Sequence, residues 1–131
     1  MTPHELAAAL HAALMAGQHG EDIRHLFTDD AVTIEHPNAL QPRGGRRHLT
    51  EMLAGSTAGA RLLERQEFDV HQTVEAGDEV VLRLTWTGEL NEAVGPFAAG
   101  QQLRAHIVQF IRTTGGRISE IETFDCYEPF A

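Results

Sequence analysis

The chain has 131 residues, 42% of them hydrophobic, which suits one globular domain with a real core and is too few for two. Its formal charge is −9, from 19 acidic residues against 10 basic ones that are all arginine, and this acidity argues against nucleic acid and anionic membrane surfaces as partners. Cys126 is the lone cysteine, so no intramolecular disulfide forms, and no apolar run is long enough to span a membrane. Met1–Glu5 has no basic region and leads straight into an amphipathic pattern, so the expectation is a cytoplasmic protein without a signal peptide.

Thr2 is placed to cap a helix with Pro3 at its first position and Glu5 closing a capping box. Leu6, Leu10, Ala13 and Leu14 follow on one face at helical spacing, until Gly17 and Gly20. A short second helix is predicted from Glu21 to Phe27. Thr28-Asp29-Asp30 turns the chain into a strand over Ala31–His36, which ends before Pro37. After a loop over Asn38–Gly45, a third helix is expected from about Arg46 to Ala54.

From there the period changes to two. Leu63–Val74 alternates, with Phe68, Val70, Gln72 and Val74 on one face; Ala76-Gly77-Asp78 signals a hairpin, and Glu79–Glu89 is the returning strand. Asn91–Gly100 is a loop, Leu103–Arg112 a strand, Thr113–Gly116 a turn and Arg117–Tyr127 the last strand. Helices followed by an antiparallel meander give an α+β domain with helices on one face of a curved sheet.

His36 is the first candidate for chemistry. An imidazole held at the mouth of a strand by the proline after it titrates near neutrality and can take a proton from carbon or activate water. The alternative is a histidine that only caps the loop. His106 shares a strand face with Val108 and Phe110; a register slip of one residue decides whether that face looks in or out. Trp86 shares the face of Leu82 and Leu84, as pocket wall or as core. His4, His11, His19, His25, His48 and His71 show no ligand spacing, Cys126 has no paired base, and no metal or nucleotide motif is present, so neither a metal nor another cofactor is expected.

The order of elements, the run Phe27–Gly45 and the ending Gly116–Phe130 resemble the nuclear transport factor two-like superfamily, which includes ketosteroid isomerases and SnoaL-like polyketide cyclases. The resemblance implies a single domain over 1–131, shaped as a cone: a strongly curved antiparallel sheet packed on three N-terminal helices around an apolar pocket, with two copies paired through the outer sheet face. Asp29-Asp30-Ala31, Glu35-His36-Pro37 and Pro42-Arg43-Gly44-Gly45 are similar to the isomerase pattern, which has an aspartate base where His36 stands. The isomerase oxyanion donors fall at about Leu10 and Val108, an apolar pair unable to stabilise an oxyanion.

By the same resemblance Ile121, Thr123 and Asp125 face the pocket, and Asp125 matches the late-strand acid/base aspartate of the cyclases. The expected site is therefore His36, Asp125 and His106 as catalytic groups, with Trp86, Phe110, Tyr127, Val108 and Leu10 around a small hydrophobic carbonyl compound. The expected reaction is a cofactor-independent isomerisation or cyclisation; the alternative is a module that binds a hydrophobic ligand without turnover. Epoxide opening fits less well, because neither Arg104 nor Arg112 has an aspartate two residues along its strand.

Overall fold

Thr2 accepts the Glu5 backbone N–H while the Glu5 carboxylate accepts that of Thr2, the reciprocal box that starts α1, Pro3–Met15. This computed structural model describes residues 1–130. A 3-10 turn over Gly20–Leu26 leads to β1, Phe27–Glu35, and β2, Gly45–His48. Then come α2, Leu49–Leu62; β3, Leu63–Ala76; β4, Glu79–Leu90; β5, Gln102–Thr114; and β6, Arg117–Tyr127.

The architecture is α+β, with three helical segments and one open six-stranded sheet in the order β2-β1-β6-β5-β4-β3. Helices α1 and α2 cover one face. Leu6, Leu10, Leu49 and Leu53 pack there against Val80, Leu82, Leu84, Ile107, Ile111 and Ile121. Burying each such side chain contributes about 1.5–3 kcal/mol, and this layer holds the sheet to its helices.

Several features differ from the sequence reading. β1 starts at Phe27, so Thr28-Asp29-Asp30 lies inside the strand and not in a turn before it. The sheet is mixed, because β1 runs parallel to β6 while the other pairs are antiparallel. The third helix starts at Leu49, not Arg46: Gly45–His48 is drawn into an edge strand against Val32–Glu35, and the Glu51 carboxylate accepts the His48 N–H at the helix start. In β3 the expected face Phe68–Val74 is broken by a bulge at His71. Val70 pairs with Leu84 on the helix side, but Gln72 pairs with Arg83 and Val74 with Val81 on the other, because one extra residue reverses the alternation.

The inward rows of β4, β5 and β6 follow from their pairing. Leu82, Gln109 and Thr123 form one row, Leu84, Ile107 and Asp125 the next, and Trp86, Ala105 and Tyr127 the third. The outer face carries Arg83, His106, Val108, Phe110, Arg112, Glu122, Phe124 and Cys126. Arg112 is its hub, 2.6 Å from Glu79, 3.2 Å from Glu122 and bonded to Glu120. These carboxylates sit on β4 and β6, the two strands that flank Arg112 on β5, so the guanidinium ties neighbouring strands.

Arg112→Ala leaves three acids facing one another. Discounted for solvent screening of a partly exposed group, the expected loss is roughly 1 kcal/mol at neutral pH, shrinking in high salt and in acid. Urea denaturation measures it; a loss unchanged by salt and pH would show packing rather than charge at work.

Candidate functional site

The parallel pairing of β1 and β6 sets Thr33 beside Ile121, Ile34 beside Glu122 and Glu35 beside Thr123. Paired residues share a face, so Glu35 joins the inward row of Leu82, Gln109 and Thr123. His36, one residue on, faces out. Its ring stacks on Phe124 with centroids 4.1 Å apart, and its Nε2 lies 2.8 Å from Glu122. The hydrogen bond from His36, helped by Arg112, holds the Glu122 carboxyl below the usual range.

His36 is thus corrected from a pocket residue to an outer-face one. His106 is corrected likewise: it shares a face with Val108 and Phe110 as expected, but that face is the outer one. His106 Nε2 lies 2.8 Å from Glu128, which also pairs with Arg104 at 3.0 Å. Phe110 meets Phe124 edge-on beneath the Arg112 guanidinium, and Val108 lines an outer cleft of about 640 Å3 with His71, Arg83 and Phe124. Leu10 is buried in the core. The physical reason is that this sheet carries large apolar side chains on both faces, so the usual rule that the apolar side is the inner side gives no direction here.

Asp125, Tyr127 and Trp86 lie on the helix side, where Glu35 is the group that sequence reasoning missed. Arg47 Nη1 donates to one Glu35 oxygen at 3.2 Å and Asn38 Nδ2 to the other at 2.8 Å. Asn38 also accepts the N–H groups of Leu40 and Gln41 through its side-chain oxygen, which folds the loop after β1 back on itself. Gly44 closes that loop with φ +65°, and a Cβ there would sit 2.4 Å from the Glu35 carbonyl oxygen. Only glycine fits. Alternation alone carried the missing signal, since Thr33 and Glu35 oppose Val32 and Ile34.

Beside Glu35, the Asp125 carboxylate accepts the Thr123 hydroxyl at 2.5 Å. Burial pushes the Asp125 pKa up against the opposing Thr123 bond, and the charge of Glu35 adds to the rise. Tyr127 is pushed up as well, first by burial and then by Asp125 and Glu35. Trp86 meets Tyr127 edge-on with centroids 6.4 Å apart.

The row continues from Thr123 to Gln109 and reaches α1. His11 is buried, its ring stacks on Phe68 at 4.3 Å, and its Nε2 lies 2.9 Å from Gln109 Oε1. Burial lowers the His11 pKa, with the Gln109 bond opposing. A neutral ring therefore donates to Gln109, which leaves the amide NH2 of Gln109 as a donor on the helix side. Next to Leu10 and Val108, His11 and Gln109 hold polar positions on the helix side. The assembly can divide acid and base roles between two carboxyls in unlike surroundings. Among the described residues, no three His, Cys, Asp or Glu side chains cluster as a metal site would require.

Residues 7–121 match the family model of the SnoaL-like domain. No curated protein matches the chain. IdmH, a putative polyketide cyclase from Streptomyces antibioticus, is 24% identical with a TM-score of 0.74, over 95% of this chain and 92% of its own. A Catenulispora acidiphila protein with a ketosteroid isomerase-like fold is 22% identical, TM-score 0.69, over 95% and 86%. A cystatin-fold protein from Novosphingobium aromaticivorans is 21% identical, TM-score 0.70, over 95% and 98%. At these identities the likeness is one of fold. No helix among the described residues is long and apolar enough to cross a membrane.

His11 makes stability depend on pH in a defined sense. Its folded pKa is below the ordinary 6.5, so its contribution is complete above that value and is lost as pH falls toward the folded pKa. His11→Phe, which keeps the stack on Phe68, is expected to flatten this acid slope in urea midpoints taken across pH. An unchanged slope would contradict the neutral, buried His11.

Proposed function

The chain belongs to the SnoaL-like domain family, and from that premise we propose that it is a cofactor-independent acid/base enzyme acting beside the carbonyl of a small, largely apolar compound, in a cyclase- or isomerase-like reaction. One observation carries the reading: Asp125 is a carboxyl whose proton is held more tightly because it is buried, and Glu35 faces the same side one strand away. A protonated Asp125 gives its proton to a carbonyl oxygen. The Glu35 carboxylate, steadied by Arg47 and Asn38, removes a proton from the adjacent carbon.

In an aldol-type closure the enol carbon attacks a second carbonyl carbon, and the enol hydroxyl returns its proton to Asp125 as the first carbonyl re-forms. Glu35 delivers the proton it took from carbon to the second carbonyl's oxygen, so both carboxyls are reset without a co-reactant. The Gln109 amide and the Tyr127 hydroxyl orient the substrate oxygen, while Trp86 supplies an apolar wall. Binding without turnover is the rival reading, favoured by the fact that both Glu35 oxygens are already engaged. On the outer face, Val74 and Phe124 remain 52% and 41% exposed, which supports pairing of two copies there.

Exchange of α-hydrogens for deuterium in a panel of hydrophobic ketones, followed by NMR, reads the proton transfer directly. Asp125→Asn and Glu35→Gln are each expected to slow exchange by about 100-fold or more, the scale of a lost general acid or base, with His36→Ala near wild type. Ligand binding without exchange, or a loss confined to His36→Ala, would overturn the proposal.

Asp125→Asn has a second expected effect. A raised folded pKa means that ionising Asp125 costs stability as pH rises through that value. The variant should therefore melt a few degrees higher than wild type at neutral pH, with the gap closing in acid. Calorimetry across pH checks this, and a lower melting point at neutral pH would contradict it.

A further inference from the structure

Trp86 and Gly88 are successive inward positions of β4. A Cβ on Gly88 would stand 2.4 Å from Trp86 Cη2 and 2.6 Å from Cζ2, with Leu63 Cδ2 at 3.0 Å. The indole therefore lies back across the bare backbone of Gly88. Gly88 is not among the residues with positive φ, so the strand would accept any L-residue there on conformational grounds. Glycine inside a strand costs about 0.5–1 kcal/mol relative to alanine. What asks for glycine at this position is space for the ring.

Two other contacts fix the ring. Gln66, the cross-strand partner of Gly88, accepts the indole N–H at 2.9 Å. On the other side Tyr127 meets the ring edge-on, across Ala105, whose methyl group leaves room between them. Seat, tether and buttress come from three strands, and they hold the indole low against the sheet, one row from Asp125. A surface cleft of about 290 Å3 between the ends of α1 and α2 and the start of β3 reaches Gln66.

We infer that the Gly88–Trp86 pair is a specificity determinant: by seating the indole on bare backbone, it sets how large a ring-bearing carbonyl compound fits beside Asp125 and gives that ring a flat wall. The inference rests on the reading of the helix side of the sheet as the ligand site. A side chain at position 88 points to the same face as the indole, so it lifts the ring off the sheet into the space a ligand would use. Ring size, rather than the carbonyl, is what such a change discriminates.

Trp86 is the sole tryptophan, so its fluorescence reports the seat with no background. Acrylamide quenching is compared in wild type and Gly88→Ala without ligand, and both are then titrated with acetophenone and with anthrone as one-ring and three-ring ketones. Gly88→Ala is expected to raise quenching and to weaken anthrone by about tenfold, the effect of roughly one misplaced methyl group in a pocket, with acetophenone little changed. The double variant Gly88→Ala/Trp86→Phe, with a smaller ring to seat, is expected to recover the stability that Gly88→Ala loses, which keeps the test open if the single variant folds poorly. Unchanged quenching, or no recovery in the double variant, would overturn the seat whatever the ligand. Raised quenching with equal losses for both ketones would overturn the size limit. Titrations in which neither ketone perturbs wild-type Trp86 would overturn the ligand-site reading, and this inference with it.

Discussion

The register of β1 on β6 is the constraint on which the site depends. Glu35 pairs with Thr123, and the His36 N–H closes the ladder on the Thr123 carbonyl at 3.1 Å. Side chains of a strand alternate, so this one pairing sends Glu35 inward and His36 outward; a slip of one residue would exchange them. The loop that follows holds the register. Asn38 bonds both Glu35 and the His36 carbonyl, and Gly44 comes so close to the Glu35 carbonyl that no larger residue fits. A strand end that would otherwise fray is fixed on both sides.

Charge is arranged differently on the two faces. Outside, the acids Glu79, Glu120 and Glu122 converge on Arg112, and Glu128 on Arg104 and His106, in partial contact with solvent. Inside, Glu35 has Arg47, but among the described residues Asp125 has only the Thr123 hydroxyl and a neighbouring carboxylate. An ionised carboxyl in that partly buried position is short of water and has no counter-charge among the described residues, so it retains its proton more strongly. His11 shows the same physics with opposite sign: burial keeps it neutral, which makes it a directional donor to Gln109 rather than a charge. Such buried polar groups are paid for in stability elsewhere and mark where a fold can do chemistry.

Much of the fold was legible in the sequence because it rests on local rules. The capping box of Thr2 and Glu5, the alternation of β4, β5 and β6 and the hairpin at Gly77 follow from residue type and spacing. The α+β class and the family followed from the order of these elements. What was not legible depends on contacts distant in sequence. Gly45–His48 becomes a strand only because β1 offers it an edge, and the bulge at His71 reverses a face that reads as continuous. At the site, the resemblance points Asp125 toward the pocket, whereas Glu35 stands in no motif of its own and only the alternation of β1 marks it. Val32, Ile34, Val108, Phe110 and Phe124 make the outer face look like an inner one. His36, next to that face and before Pro37, then looks like the obvious base.

Carbon-detected NMR titration of the Asp125 side-chain carboxyl, in wild type and in Glu35→Gln, tests the central claim most directly. The account predicts a midpoint above the ordinary 3.8 in wild type, and a lower one once the charge of Glu35 is removed. A wild-type midpoint at or below 3.8, or one indifferent to Glu35, would show that the two carboxyls do not share the inner face as a coupled pair.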